Sequence, residues 1–535
     1  MMAANRPARK AAARSRLGVR VLTPTQKPPE KAGIHTISRV WGSLRAGLAL
    51  TDSSTGVPGR RSPSMLPVLL VWAVKAPLSP STSTRNRMRR RTSRARMSPP
   101  GKTTSGLAAV AREEFTFSEY STTKTPGRPS VPPISSNPRH QGMSVMLTAL
   151  RLACVKPSAT LAMSAKAKEM KAAGRRVLDL AAGEPDFPTP AHVKDAAKAA
   201  LDADFTRYTA VPGIPEARAA VAGYFKRFYG VGAPPEATII TNGGKQALYN
   251  MIQAYVNPGD EVLIPAPYWV SYPDMVRLAG AEPAFVPTTA ESGFKITVEA
   301  LEKARTPKTT MLIVNSPSNP TGCHHTQAEL DAIAQWAFSR GVFVLSDEIY
   351  DQLVYEPAEP AGMAGWWERK PEMVGIVNGL AKSFSMTGWR VGYALAHPDL
   401  IKAMSKLQGQ CTSNVCSFVQ KAAVAALDGP FEAVESMRRA FRRRRDLALS
   451  IIATWDRALC PTPQGAFYLF PDLSGYFTAA VPDSTALCAR IMEATGVVTV
   501  PGAAFGDDAC LRLSYATDEG SLTEALTLMG GVLKG

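Results

Sequence analysis

No C-x-x-C pair occurs in this 535-residue chain, and its seven cysteines, Cys154, Cys323, Cys411, Cys416, Cys460, Cys488 and Cys510, are scattered and odd in number. That argues against both a zinc ribbon and a disulfide framework, and it suits a reducing compartment. Long apolar runs are missing too. The stretch nearest the N-terminus, Met65 to Val74, is broken by Pro67 and falls far short of the roughly 20 residues that a spanning helix needs. The expectation is a soluble, cytoplasmic protein with no membrane partner. What is scarce in the first part of the chain is acid: residues 1–142 hold 25 Lys and Arg against 5 Asp and Glu.

The formal charge of +18 is therefore divided unevenly, about +20 in residues 1–142 and about −2 in the remainder. Runs such as Arg85-Asn86-Arg87-Met88-Arg89-Arg90-Arg91, 16 prolines and the lack of any sustained helical or strand period mark residues 1–142 as a disordered basic extension. Three readings compete for it. It is an organellar transit segment, a nucleic-acid-binding arm, or upstream sequence from a misplaced start, the last favoured because Met143 and Met146 stand just before the ordered pattern begins. The basic stretch Phe441-Arg442-Arg443-Arg444-Arg445-Asp446 reads as the solvated face of a helix. Cys323-His324-His325 suggests no metal, since adjacent histidines point different ways.

Beyond Met146, strands alternate with helical stretches, the mark of an α/β fold: a large domain with a mainly parallel sheet flanked by helices. The strands expected are Thr238–Thr241, Glu261–Pro265, Pro283–Val286, Met311–Asn315, Val342–Ser346, Val374–Asn378 and Val391–Ala396, with helices such as Gln246–Val256 and Gln327–Phe338 between them. From about Ser413, long helices and the short strands Phe467–Phe470, Val497–Val500 and Leu511–Tyr515 indicate a smaller α+β domain. The expected divisions are an N-terminal arm joining the small domain at 143–190, a large cofactor-binding domain at 191–412 and the small C-terminal domain at 413–535.

Several residues fall where strands of such a sheet end, the edge at which open α/β sheets bind ligands. Lys382 follows an apolar strand, and Arg390 lies eight residues on, before the next strand. Asp347 ends Val342-Phe343-Val344-Leu345-Ser346, and Tyr350 is three residues later. Asn319 sits in Asn315-Ser316-Pro317-Ser318-Asn319-Pro320-Thr321-Gly322, whose prolines and glycine dictate a turn. Gly243-Gly244-Lys245 joins a strand to a helix and leaves backbone N–H groups free for a phosphate. Singly, each has an ordinary reading: a surface lysine, a turn carboxylate, a turn asparagine, a helix start. Arg512, in the alternating Cys510-Leu511-Arg512-Leu513-Ser514, reads on pattern alone as an outward residue of a half-buried strand.

Together these stretches, with Ala182-Gly183-Glu184-Pro185-Asp186-Phe187, Pro267-Tyr268-Trp269 and Lys156-Pro157-Ser158, resemble the class I aminotransferases of fold type I, in particular the bacterial aspartate/prephenate branch. The resemblance runs from about Cys154 to Leu533 and implies pyridoxal 5'-phosphate as cofactor, held covalently by Lys382, whose freed amine would carry the substrate Cα proton to cofactor C4′. By the same resemblance Asp347 would pair with the pyridine nitrogen, Tyr350 and Asn319 with the phenolic oxygen, and Trp269 would stack on the ring. Arg390, Gly243, Gly244, Lys245 and Tyr208 of a second subunit would hold the phosphate, which implies a homodimer with shared sites. Arg512 and Gly183 would bind the α-carboxylate, Lys245 the distal carboxylate of aspartate or glutamate, and Lys156 is associated with prephenate. One departure stands out: the position three before the lysine, often a phosphate-binding serine in relatives, is Gly379.

The expected activity is amino-group transfer between an amino acid and a 2-oxo acid in two stages. Alanine, aromatic amino acids or kynurenine are the nearest alternative donors. A DNA-binding regulator with an aminotransferase-like domain is the alternative of another class, disfavoured because residues 1–142 show no helix pair of the winged-helix kind.

Overall fold

The computed structural model describes residues 149–155 and 159–535. The expectations for the extension 1–142 and for Lys156 lie outside the described residues.

After a short strand β1 (Leu178–Asp179), the chain builds a seven-stranded sheet from β2 (Thr238–Thr241), β3 (Glu261–Ala266), β4 (Glu282–Pro287), β5 (Thr309–Asn315), β6 (Phe343–Asp347), β7 (Val374–Gly379) and β8 (Gly392–Leu395). Their order is β2-β8-β7-β6-β5-β3-β4, and only β8 runs against the rest. The central strands β6 and β7 are buried at every position, so they read as continuous apolar runs rather than alternating ones. Successive side chains enter opposite layers. Leu312, Val314, Val344 and Ile376 pack on one face with the helices Pro215–Tyr229, Gln327–Ser339 and Ser417–Asp428. Met311, Ile313, Phe343 and Leu345 pack on the other, against the helices Gly244–Tyr255 and Pro398–Cys411.

A second core gathers the C-terminal elements. The strands β9 (Tyr468–Leu469), β10 (Val497–Val498), β11 (Val500–Pro501) and β12 (Leu511–Ser514) lie with the helices Glu432–Ile452, Ser484–Thr495 and Glu519–Lys534. The stretch 497–500 is two strands rather than the expected one. Val497 and Val498 pair in parallel with β1, whereas β11 joins the antiparallel sheet β11-β12-β9, so the chain changes partner at Thr499.

The expectation of a solvated face for 441–446 holds only in part. Arg443 is exposed and Arg442 half-exposed, but Arg444 and Arg445 are buried at 8% and 6% exposure. Arg444 forms a bidentate pair with Asp186 at 2.7 and 2.9 Å, and Arg445 donates to the Pro463 carbonyl at 3.0 Å. Successive helical residues are about 100° apart, so four consecutive arginines spread over about 300° of the circumference and cannot all lie on the solvent side. Among the described residues no helix is long and apolar enough to cross a membrane.

Candidate active site

The carboxyl ends of β2, β5, β6 and β7 bring the expected residues to one edge of the large sheet. Asn315 and Asp347 are register partners, as are Gly379 and Gly392 across β7 and β8, and Thr241 and Gly392 across β2 and β8.

Asp347 is buried at 4% exposure. Its Oδ2 accepts from Tyr272 Oη at 2.5 Å and its Oδ1 from the Ile349 N–H at 3.3 Å. Burial raises its pKa to about 6, against the lowering pull of those two donors and of the Lys382 charge. The carboxylate is therefore ionised at neutral pH but held in an apolar setting. Such a group favours a cationic partner.

Lys382 leaves the end of β7 half-buried, its Nζ donating to the Gly183 carbonyl and lying 5.8 Å from the Tyr350 ring centre and 5.6 Å from that of Phe467. Desolvation lowers its pKa to about 8, helped by the nearby Arg512 and Arg390 charges. A useful fraction of neutral amine thus exists near pH 7.

Arg512 is buried at 2% exposure, which corrects the outward reading; all four residues of β12 are buried because other elements cover both of its faces. Its guanidinium lies 4.7 Å from the Tyr468 ring centre and 5.1 Å from that of Phe505. Nη2 donates to the Ala181 carbonyl at 2.8 Å and Nη1 to Asn319 Oδ1 at 3.2 Å, while Nε has no partner. No carboxylate of the described residues forms an ion pair with it. A buried cation in that state is a prepared anion site.

Asn319 is fixed by Asn315, whose Oδ1 accepts the Asn319 N–H at 2.9 Å while its Nδ2 donates to the Asp347 carbonyl at 2.9 Å. Tyr350 is buried, its hydroxyl 3.0 Å from that of Tyr468. Trp269 meets Tyr272 edge-on at 5.3 Å, and Lys245 Nζ sits 4.8 Å from the Trp269 ring centre. Desolvation, then the Arg390 charge, lowers the pKa of Lys245.

The helix after β2 starts at Gly244, two residues earlier than expected. Gly244 and Lys245 therefore offer first-turn N–H groups, which have no intrahelical acceptor. The Gly243 N–H donates instead to the Thr241 carbonyl at 2.8 Å. Gly243 serves by conformation: its φ is +85°, and a Cβ there would lie 2.7 Å from Arg390 Nη2. A Cβ on Gly392 would lie 2.6 Å from the Gly243 carbonyl carbon, so β8 and the turn approach each other backbone to backbone. Arg390 is exposed, with φ +53°, and its Nη1 donates to the Thr387 carbonyl at 2.8 Å. At Gly379 a Cβ would lie 3.0 Å from Ile349 Cδ1 and 3.1 Å from Gly392 Cα, so this chain has little room for the serine of relatives.

The donor set matches pyridoxal phosphate part by part: a glycine turn, two free N–H groups and Arg390 suit a phosphate, buried Asp347 suits a protonated ring nitrogen, and Lys382 suits an aldehyde. Tyr208 is 91% exposed and meets none of these groups within its own chain. His324 is held between Ser316 Oγ at 3.0 Å and the Glu359 carbonyl at 2.9 Å, and His325 Nε2 accepts from the Ile296 N–H at 3.1 Å. Among the described residues no cluster of three or more His, Cys, Asp or Glu side chains could hold a metal ion.

Sequence reasoning missed Tyr272, Tyr468, Gly392 and the pairing of Asp186 with Arg444. Tyr272 sits three residues after Trp269, where a helix turn would have placed it on the same side. A glycine inside the strand Val391–Ala396 was a sign of close backbone approach.

The family model of aminotransferase class I and II matches residues 175–528. An aspartate/prephenate aminotransferase of Cereibacter sphaeroides is 48% identical over 385 residues, covering 70% of this chain and 95% of that protein. An aspartate aminotransferase of Geobacillus stearothermophilus is 44% identical over 385 residues, covering 71% and 97%. The solved structure of Thermus thermophilus aspartate aminotransferase with maleate is 43% identical and superposes with a TM-score of 0.69, covering 72% of this chain and all of that one. With the family model spanning most of the described residues, the chain belongs to the class I and II aminotransferases.

Proposed function

We propose that this protein is a pyridoxal-phosphate-dependent aspartate aminotransferase that exchanges amino groups between aspartate or glutamate and 2-oxo acids. The observation that carries the reading is Arg512, a buried guanidinium with a free Nε–H and no carboxylate partner among the described residues. It stands within electrostatic reach of Lys382. An α-carboxylate bound there meets a planar fork, and the substrate Cα then faces the amine.

When bound, pyridoxal phosphate supplies the carbonyl carbon that accepts the amino group and a ring that draws electrons from Cα. The chain supplies the rest. Asp347, ionised at neutral pH, would hold a proton on the ring nitrogen. Asn319 and Tyr350 would bind the phenolic oxygen, Trp269 would fix the ring plane, and Arg390 with the Gly244 and Lys245 amides would bind phosphate. Lys382 Nζ takes the Cα proton, its partly neutral state set by burial.

Lys245 assigns the distal carboxylate. It stands over Trp269 beside the phosphate turn, and the one charge that perturbs it is that of Arg390. The Thermus thermophilus neighbour was solved with maleate, a dicarboxylate. Use of prephenate rests on the name of the Cereibacter sphaeroides relative and on Lys156. Further parts of the reading are a homodimer in which Tyr208 completes the phosphate site of the second copy, domains at 143–190, 191–412 and 413–535, and a cytoplasmic location suited to seven free cysteines.

The test is Lys382→Ala with added pyridoxal phosphate. Loss of both the visible absorbance of the lysine-bound cofactor and turnover is expected; retention of both overturns the reading. A donor panel of aspartate, glutamate, alanine, phenylalanine and kynurenine separates the alternatives.

A further inference from the structure

Between β1 and the helix Ala191–Asp202 the chain runs for eleven residues, 180–190, without regular secondary structure, yet two of its carbonyls touch the reacting groups. The Ala181 carbonyl accepts from Arg512 Nη2 at 2.8 Å, and the Gly183 carbonyl accepts from Lys382 Nζ. An irregular strap holds such positions only through its attachments. At its start, the Leu180 N–H donates to the Val498 carbonyl at 2.9 Å and the Leu180 carbonyl accepts from the Ser514 N–H at 2.8 Å. Farther along, Glu184 Oε2 accepts from Thr387 Oγ1 at 2.6 Å, and Thr189 Oγ1 donates to the Ser385 carbonyl at 2.7 Å.

The attachment with the best geometry is Asp186 to Arg444. Two parallel bonds of 2.7 and 2.9 Å join carboxylate and guanidinium, with Arg444 side-chain exposure of 10% and Asp186 of 29%. The guanidinium is also packed on Phe187 and Phe441, at 5.0 and 5.6 Å from the ring centres, and those two rings meet edge-on at 5.4 Å. Charge-assisted bidentate bonds fix both distance and orientation, which makes this pair the strongest of the strap's attachments. Arg444 belongs to the helix Glu432–Ile452, so the pair ties the strap to a rigid element.

We propose that Asp186 and Arg444 form a positioning pair that sets the Ala181 and Gly183 carbonyls against Arg512 and Lys382, and so governs carboxylate affinity and the protonation of the lysine. Neither residue touches substrate. The inference rests on the aminotransferase reading above. When the pair is broken the strap loosens, the Arg512 fork loses the Ala181 carbonyl as one of its anchors, and the Lys382 nitrogen loses the acceptor that its protonated form prefers.

The experiment compares Asp186→Asn, Arg444→Lys and the double variant with wild type as holoenzyme. Each single change is expected to weaken maleate binding and raise the aspartate KM by roughly 10- to 100-fold, the scale of a small misplacement of a binding group, with kcat changed far less. The double variant is expected to lose no more than either single one, because the two act as one unit. The pH at which the visible absorbance of the lysine-bound cofactor changes is expected to move, and amide exchange across 180–189 to quicken. Asp186→Asn keeps shape and packing, so it remains informative should Arg444→Lys fold poorly. Unchanged maleate affinity and an unmoved absorbance titration in Asp186→Asn overturn the proposal. If wild type itself shows no lysine-bound cofactor, the function reading fails instead, and the exchange rates of 180–189 still report whether the pair holds the strap.

Discussion

Replacing Arg512 by lysine keeps a positive charge at the site and removes only the fork, so it tests geometry rather than charge. In the structure the guanidinium directs Nη2 to the Ala181 carbonyl and Nη1 to Asn319 Oδ1, and leaves Nε–H unpartnered. Its plane is fixed by the Tyr468 and Phe505 rings. An ammonium in that slot cannot keep both existing acceptors and also present two parallel donors to an α-carboxylate. The loss is at least one hydrogen bond between charged groups, about 1.5–3 kcal/mol, which corresponds to roughly 10- to 150-fold in kcat/KM. Because every amino acid carries the same α-carboxylate, the factor should be similar for aspartate, glutamate and alanine. The assay is steady-state kcat/KM for the three donors against 2-oxoglutarate. A loss below about threefold refutes the argument, since it would mean that fewer than one such bond was involved. So would a loss confined to the dicarboxylic donors.

Lys245→Ala should show the opposite pattern. Lys245 is exposed and acts in partial solvent, so aspartate is expected to lose about 5- to 10-fold, just below the range for a desolvated charged hydrogen bond, and alanine almost nothing; equal losses in the donor panel would refute the role. Asp347 makes a separate prediction about stability. Burial raises its pKa from 3.8 to about 6, so the folded protein without cofactor favours the neutral carboxyl, and the stabilisation this confers at low pH is lost as pH rises through about 6. The span of about two pH units corresponds to about 3 kcal/mol. Melting temperatures of the cofactor-free protein between about pH 4 and pH 6.5, the interval bounded by the two pKa values, should therefore fall with rising pH more steeply in wild type than in Asp347→Asn, and parallel curves would contradict the assignment.

Much of the large sheet was legible because its strands are short apolar runs between turn residues, and each expected strand from Thr238 to Ala396 exists with ends moved by one or two residues. The smaller sheet was harder. Val497 to Val500 carries a single β-prone run, and nothing in four residues says that the first two bond to β1 and the next to β12. Side-chain burial was the other failure. Arg512 alternates with leucines, which predicts an outward residue in a two-faced strand; it lies inward because other elements cover both faces of β12. Arg444 was hidden in a run of four arginines for a similar reason: local charge pattern does not reveal an aspartate 258 residues away in sequence. Asp347, Lys382 and Asn319 were easier to find, since strand ends fix their place whatever packs around them.

The grouping of cations has a consequence for catalysis that no single residue carries. Lys382 has its proton affinity lowered first by burial, then by Arg512, with Arg390 acting in the same direction and Glu184 and Asp347 against it. On the proposed function, a substrate carboxylate at Arg512 would neutralise the second of these causes, and the cofactor phosphate at Arg390 another. Both therefore raise the proton affinity of the lysine, making its neutral amine a stronger base when a substrate lies beside it. A site built with an acidic partner for Arg512 would lack this coupling, because the compensating charge would be present before the substrate. Leaving the buried guanidinium without its own carboxylate costs folding stability, and what it supplies in return is a base whose strength responds to occupancy.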